Sequence, residues 1–363
     1  MLVAANLAWL VPGRVGGSEE YTSRLLAAVI DEAPAGIDLR IIGSPALFDA
    51  YPALAVVEHV VLRGPVQLRP WRVLAESTQV HRSTAGAAVV HHFGGRIPAR
   101  TRGNDVVTIH DLQPLQHPDN FSVMKRRYLA AVLPRSVRGA RVVTTPSEWV
   151  ASTVIDRLGA DPSTTVAVSS TWDPEDSIDS GLADSLGDGP MVLYPAVSHP
   201  HKRHRLLLDA VDEVVAQHGE IAVVLTGGPG RAEGDVDAAI ARSAARVLRP
   251  GRVPAAALRG LYQRADALVF PSEYEGFGLP VLEAMRAGVP VVAANRTALP
   301  EIVADTGVLV DSDEPADWAA AIIDVLAGGD RVKDRIDRAR IRAERWSPEQ
   351  AAARLIDVWR SLG

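Results

Sequence analysis

The sequence predicts an α/β protein built as two doubly wound units, each a parallel sheet covered by helices. Short apolar runs alternate with stretches of helical period along the whole chain, the pattern expected of βαβ units. The runs fall into two sets separated by residues 173–190, rich in Asp, Ser and Gly, which reads as a linker. At 363 residues the chain is too long for one ordinary domain of about 150 residues.

The first set places strands at Leu2–Ala8, Asp38–Ile42, Glu58–Leu62, Ala87–His91, Val106–Ile109, Ala140–Thr144 and Thr165–Ser169. Helices are expected between several of these, notably Ser18–Ile30 and Ser147–Leu158. The second set places strands at Met191–Tyr194, Ile221–Thr226, Ala267–Phe270, Val289–Ala293 and Val308–Val310, with Arg205–Gln217 as a helix between the first two. Ser347, Pro348 and Gln350 combine an N-cap, an early helical proline and a capping-box residue, which opens a last helix running to Ser361. The domains expected are therefore 1–175 and 190–345, with 346–363 as a terminal helix.

Composition excludes several classes. A net charge of -6 argues against a nucleic-acid binder, which carries a basic excess. With no cysteine there is neither a disulfide framework, a thiolate metal site nor a cysteine nucleophile. Residues 1–10 lack the basic start of a signal peptide, and no apolar run approaches the about 20 residues of a membrane span. The expected location is cytoplasmic. Lys125, Arg126, Arg127, Arg135, Arg138 and Arg141, set among Phe121, Val123 and Met124, leave open a peripheral contact with an anionic membrane, the alternative being a solvated helix face.

The most informative segment is Ala267–Phe270, an apolar run that breaks into Glu275, Gly276, Phe277, Gly278, Leu279 and then Pro280, read as the first residue of a helix. A strand, a glycine loop and a helix N-terminus form a ready anion site, because the first amides of a helix lack intrahelical partners. Glu275 and Glu283, with seven residues between them, place a carboxylate on each side of that cradle. Carboxylates accept strong hydrogen bonds from sugar hydroxyls. The alternative is that Glu283 only complements the helix dipole and that Glu275 is a solvated loop residue.

This run, followed by Ala287, Gly288, Val289, Pro290 and by Leu299, Pro300, Glu301, resembles the retaining nucleotide-sugar glycosyltransferases of the GT-B fold, the family 4 type. The resemblance extends from Gly16 and Gly17 to the Trp346, Ser347, Pro348 turn. It implies two Rossmann-like domains with parallel sheets facing a central cleft, and a terminal helix that crosses back to the N-terminal, acceptor-side domain. The segment Tyr194, Pro195, Ala196 with His201 and Lys202 resembles the family's phosphate-binding block, in which Lys202 neutralises the diphosphate. Many relatives carry an arginine five residues earlier. Val197 stands there, so a second cation must come from elsewhere; Arg203 is a candidate without motif support.

His110, within Thr108, Ile109, His110, Asp111, matches the family histidine that contacts the donor sugar near the reacting carbon. Considered alone, a histidine after a strand is more often a structural hydrogen-bonder. Gly16 and Gly17 match the N-terminal glycine loop near the donor phosphates, although Glu19 and Glu20 in the following turn would oppose a bare phosphate. A simple tight turn is the alternative. Thr226, Gly227, Gly228 and the segment Gly251, Arg252, Val253 resemble nucleobase-side loops, the latter touching the base through its backbone. The histidines 199, 201 and 204 and the trio Asp311, Ser312, Asp313 are suggestive of a metal, but neither has metal-site spacing in a helix, and the acidic trio reads as a turn.

The catalytic set expected is His110, Lys202 and Glu275, and the donor-binding set Gly16, Gly17, Lys202, Arg203, Gly251, Val253, Glu275, Gly276, Phe277, Gly278, Leu279 and Glu283. The resemblance implies a hexosyltransferase that needs no metal or other cofactor and takes a nucleotide-sugar donor and a glycan or lipid-linked acceptor. The segments around Tyr194, Thr108 and Phe121 look most like bacterial polysaccharide mannosyltransferases, which makes GDP-mannose the first donor to test. A sugar-nucleotide epimerase or phosphorylase of the same fold, or a noncatalytic sugar-nucleotide-binding subunit, is the alternative.

Overall fold

A computed structural model describes residues 1–14, 16–101, 104–118, 121–173 and 177–363. The chain forms two compact units: Met1–Trp172 together with Trp346–Gly363, and Asp173–Arg345. Each is a doubly wound parallel sheet.

The first unit holds seven strands, β1 Leu2–Asn6, β2 Asp38–Gly43, β3 Glu58–Val61, β4 Val89–His92, β5 Asp105–Thr108, β6 Val142–Thr145 and β7 Thr165–Ala167, in the order β3-β2-β1-β4-β5-β6-β7. The chain winds outward from β1 to β3 on one side and from β4 to β7 on the other, so the direction of winding reverses between β1 and β4. β4, β5 and β6 are buried along their whole length, their polar residues His91, His92, Asp105, Thr108, Thr144 and Thr145 included.

The second unit holds six strands, β8 Met191–Pro195, β9 Ala222–Thr226, β10 Arg246–Gly251, β11 Ala267–Phe270, β12 Val291–Ala294 and β13 Val308–Val310, in the order β10-β9-β8-β11-β12-β13. Here the reversal falls between β8 and β11, which are paired in register at Leu193 and Leu268. β10 does not show in the sequence as an apolar run. It is an edge strand whose arginines Arg246 and Arg249 and whose Pro250 break the apolar pattern, and an edge is where a strand tolerates proline. Within the segment read as linker, Gly181–Asp184 form a short helix and Arg259 holds Asp173 at 2.9 Å; residues 174–176 lie outside the described residues.

Helix starts follow local chemistry. Ser122, Ser147 and Ser347 each accept a backbone N–H three residues on, capping the helices Val123–Gly139, Glu148–Leu158 and Pro348–Arg360. The terminal helix Pro348–Arg360 is part of the first unit's core, where Ala352, Leu355 and Trp359 are fully buried with Leu25, Leu26 and Phe93. The Trp359 indole N–H donates to His91 Nδ1 at 3.1 Å, which puts the imidazole proton on Nε2, where it is donated to Thr108 Oγ1 at 2.8 Å. The His91 ring stacks on Phe93 with centroids 3.8 Å apart. Burial holds the His91 pKa well below the usual histidine value.

Trp359→Ala is expected to destabilise the first unit by about 3–5 kcal/mol through the cavity it leaves. Trp359→Phe keeps most of the apolar volume and should cost less, about 1 kcal/mol for the indole hydrogen bond. An unfolded histidine titrates near about 6.5, whereas folded His91 resists the proton, so its contribution is constant above about pH 6.5 and is lost as pH falls below it. Urea unfolding followed by far-UV circular dichroism from pH 8 to 5 tests both statements. Wild-type stability in Trp359→Ala would contradict the first.

Candidate functional site

In a doubly wound sheet the connections leave in opposite directions on either side of the reversal point, opening a crevice at the carboxyl ends of the two central strands. In the second unit those strands are β8 and β11. The loop after β8 carries Lys202, and the loop after β11 carries Glu275. Lys202 Nζ and Glu275 Oε1 form a close ion pair, with side chains 17% and 13% exposed.

Several contacts hold this pair in place. The Tyr194 hydroxyl donates to the Lys202 carbonyl, and the Glu273 N–H donates to the His201 carbonyl at 2.8 Å, tying one loop to the other. Lys202 Nζ lies 5.6 Å from the centroid of the Phe270 ring, close enough for a cation–π attraction. The Glu275 N–H donates to Thr297 Oγ1 at 3.1 Å. Thr297 has φ 55, a strained value for a β-branched residue, and such outliers concentrate at functional sites.

The glycine loop ends at Gly278, which caps the helix Leu279–Ala287. Gly278 is required there: its φ is 114, and a Cβ would approach the Leu299 side chain to 2.8 Å. Phe277 is buried beneath the loop, and Gly276 and Leu279 are partly buried. The helix begins at Leu279, one residue before the proline read as its start, so Glu283 occupies the fifth position rather than the first turn. This removes the helix dipole as its main explanation, since that effect fades beyond the first turn. The Glu283 carboxylate instead accepts a 3.0 Å hydrogen bond from the Tyr262 hydroxyl. Tyr262 is buried, on the helix Ala255–Arg264.

Other candidates separate from this pair. Arg203, in a left-handed conformation at φ 53, directs its guanidinium to Asp313 and lies 3.7 Å from Glu273. Arg296 reaches the same Asp313 at 2.6 Å, and the two arginines hold the Asp313 carboxyl below the usual range, Arg203 first. Asp313 is therefore a partner of arginines, and Asp311 accepts from Asn295 at 2.8 Å. Among the described residues no group of three or more His, Asp or Glu side chains is placed to hold a metal ion. Gly251 closes β10, its carbonyl accepting the Gly227 N–H at 2.9 Å, and Val253 follows in the loop beyond. Gly227 comes so close to the β8 loop that a Cβ would lie 2.4 Å from the Ala196 carbonyl oxygen. Arg249 reaches Ser198 at 2.6 Å, beside Val197, while Glu233 and Asp237 flank its guanidinium at 2.7 and 2.6 Å.

His110, Gly16 and Gly17 belong to the first unit. His110 follows β5, and its Nε2 donates to the Phe93 carbonyl at 2.7 Å. Its ring lies 5.4 Å from Trp9 and edge-on to Tyr21 at 5.1 Å, so residues following β1, β4 and β5 and the helix Gly17–Glu32 gather at one place. Burial pushes the His110 pKa down to about 4, against the smaller upward pull of the Phe93 carbonyl. At neutral pH the ring is neutral, with Nδ1 as a hydrogen-bond acceptor. Gly16 and Gly17 are exposed, Gly16 with φ 75, and a Cβ at either would meet nothing within 4 Å. Glu19 does not oppose an anion at this loop, contrary to the expectation from sequence. It is buried, and its carboxylate accepts the Gly13 N–H at 2.8 Å and the Tyr51 hydroxyl at 2.7 Å, closing the loop on itself. Glu20 turns to Arg24 at 3.4 Å.

Tyr262 and Thr297 belong to none of the motifs visible in the sequence. For Tyr262 a signal existed: a tyrosine beside Leu261 on the apolar face of a helix requires a buried partner for its hydroxyl. Thr297 carried none, because its conformation is set by the loop.

Both units resemble known proteins. Residues 183–342 match the family model for glycosyl transferases group 1, and residues 15–175 match that for glycosyltransferase family 4. O-antigen chain mannosyltransferase B of Escherichia coli is 29% identical over 83% of this chain and 81% of its own length. Among solved structures, a sucrose-phosphate synthase from Thermosynechococcus elongatus superposes with a TM-score of 0.80 at 21% identity, covering 100% of this chain and 99% of that one. HepE of Anabaena, solved with UDP and glucose, gives 0.76 at 18%, covering 99% of this chain and 100% of that one. The chain belongs to the GT-B glycosyltransferases of the family 4 type, enzymes that transfer a sugar from a nucleotide-sugar donor.

If Glu283 binds the ribose of the donor, Tyr262→Phe should weaken nucleoside diphosphate binding about three- to tenfold, because the phenol holds one oxygen of Glu283 in place. The melting temperature should change little, and the loss should disappear with a 2′,3′-dideoxynucleotide. Isothermal titration of both ligands tests this, and an equal loss for both would assign Tyr262 a structural role instead.

Proposed function

We propose that this enzyme transfers mannose from GDP-mannose to a hydroxyl of a glycan or lipid-linked acceptor, with retention of the anomeric configuration and without a metal ion. The observation that carries this reading is the Lys202–Glu275 pair, set at the reversal point of the second sheet and ahead of a glycine-capped helix. A cation and helix amides at that point suit a diphosphate, and a carboxylate beside them suits sugar hydroxyls. The choice of mannose rests on the Escherichia coli relative, an O-antigen chain mannosyltransferase. HepE, solved with UDP and glucose, makes a UDP-sugar the donor to test beside it.

In this reading Lys202 and the loop Gly276–Leu279 stabilise charge on the departing diphosphate, and Glu283 takes the ribose. Glu275 takes sugar hydroxyls, and Nδ1 of neutral His110 accepts one more hydroxyl near the reacting carbon. The bond from the anomeric carbon to the phosphate oxygen breaks as the bond to the acceptor oxygen forms on the same face. The acceptor's proton passes to the leaving phosphate oxygen, releasing nucleoside diphosphate. Catalysis is then positional and electrostatic.

Thermal unfolding in EDTA against GDP, UDP and dTDP, each with its common sugar conjugates, tests the donor. A ligand at about 100 times its Kd adds about 2.7 kcal/mol to the native state, a readable shift. GDP and GDP-mannose should give the largest rise; a rise confined to another nucleotide would replace the donor, and a rise only after adding a divalent cation would remove metal independence. Glu283→Ala should weaken nucleotide binding, and Lys202→Ala should lower turnover more than nucleotide affinity.

No helix among the described residues is long and apolar enough to cross a membrane. The helix Val123–Gly139 exposes Lys125, Arg127, Arg135 and Arg138, with Val123 and Met124 59% and 79% exposed at its start. Cations beside protruding apolar side chains favour weak docking at an anionic bilayer, each contributing about 1 kcal/mol. Co-sedimentation should therefore occur with phosphatidylglycerol vesicles, weaken with salt and fall in a Lys125→Glu/Arg127→Glu variant; equal binding to neutral vesicles would contradict it.

A further inference from the structure

Lys202 is already occupied. Its ammonium is paired with Glu275, and the two side chains come from the segments that follow the adjacent central strands of the second sheet. Both are mostly buried, so the pair is weakly screened and each charge depends on the other for stabilisation. The geometry leaves little slack. The Tyr194 hydroxyl fixes the Lys202 carbonyl, the Glu273 N–H fixes the neighbouring His201 carbonyl, and Thr297 Oγ1 fixes the Glu275 amide. Tyr194 is itself fully buried behind the pair.

We infer that Glu275 acts as a built-in competitor for the phosphate-binding lysine: a diphosphate gains Lys202 only by displacing the Glu275 carboxylate, and that displacement delivers the carboxylate to the sugar. This deepens the proposed function and rests on its assignment of Lys202 to the diphosphate. One residue then couples the two halves of the donor. The diphosphate loses some affinity to the internal anion, and the intact donor recovers it through sugar hydroxyls that give the displaced carboxylate new hydrogen bonds. A nucleoside diphosphate, the reaction's product, lacks the transferred sugar, so it has no hydroxyls to offer Glu275 in return; its ribose hydroxyls lie with Glu283. The exchange therefore favours donor over product at the same site, which assists product release.

An unexpected sign follows. Removing a residue of the binding machinery should tighten one ligand. Glu275→Gln keeps the size of the side chain and removes its charge. GDP and UDP, each titrated calorimetrically beside GMP and UMP, are the probes. For whichever diphosphate binds, Glu275→Gln should tighten binding on the order of three- to tenfold and leave the matching monophosphate unchanged. The sugar conjugate should lose its advantage over the diphosphate, and turnover should fall.

Glu275→Ala should give the same sign, so one poorly folding variant does not decide the matter. In a Lys202→Met background, Glu275→Gln should give no gain, because the competition has been removed. Unchanged or weaker diphosphate binding in both Glu275 variants overturns the inference. So does a full gain that persists with Lys202→Met, which would mean general charge repulsion rather than exchange. If Lys202→Met alone leaves diphosphate binding intact, the assignment of Lys202 fails, and the inference with it.

Discussion

The reversal of winding between β8 and β11 is the constraint on which the second unit's chemistry depends. In a doubly wound sheet the connections leave the carboxyl ends of such strands in opposite directions, which opens a crevice there. Two loops can then bring opposite charges together from positions 73 residues apart in sequence. Everything that surrounds the pair, from Tyr194 beneath Lys202 to Thr297 behind Glu275, maintains that approach. The same reversal in the first sheet, between β1 and β4, gathers Trp9, Tyr21 and His110 beside the end of β5. Both units thus follow one rule of parallel-sheet topology and differ in the side chains placed at its opening.

Those openings differ in charge. The first presents a neutral imidazole among aromatic rings, and its acidic residue Glu19 is turned inward to a backbone amide and a tyrosine. The second is ionic, with Lys202 against Glu275 and Arg203 and Arg296 against Asp313. Val197 brings no charge to this opening, and Lys202 is the cation paired with Glu275. Arg203 and Arg249 lie nearby, but each is engaged with two carboxylates.

Much of the fold was legible because strands buried on both faces appear as short unbroken apolar runs, as in β1, β8 and β11. β10 was not, since an edge strand is free to carry arginine and proline. Capping serines marked Ser147 and Ser347 plainly, whereas the start of the Leu279–Ala287 helix slipped by one residue and with it the reading of Glu283. Among site residues, the sequence shows which side chains stand at strand ends but not which way they turn. Lys202 and Glu275 were each visible alone; their pairing depends on strand order. Glu19 looked like a repulsive charge because nothing local reveals that Tyr51 and the Gly13 amide receive it.

The terminal helix has a consequence for how the protein is made. The first unit is completed by Pro348–Arg360, a segment synthesised only after all of Asp173–Arg345. The second unit is one continuous stretch and can close as soon as it leaves the ribosome, while the first waits with Leu25, Leu26 and Phe93 lacking their cover. The half begun first is finished last, so a chaperone's demand should centre on the N-terminal half, and chains truncated before Trp359 should be the ones that aggregate.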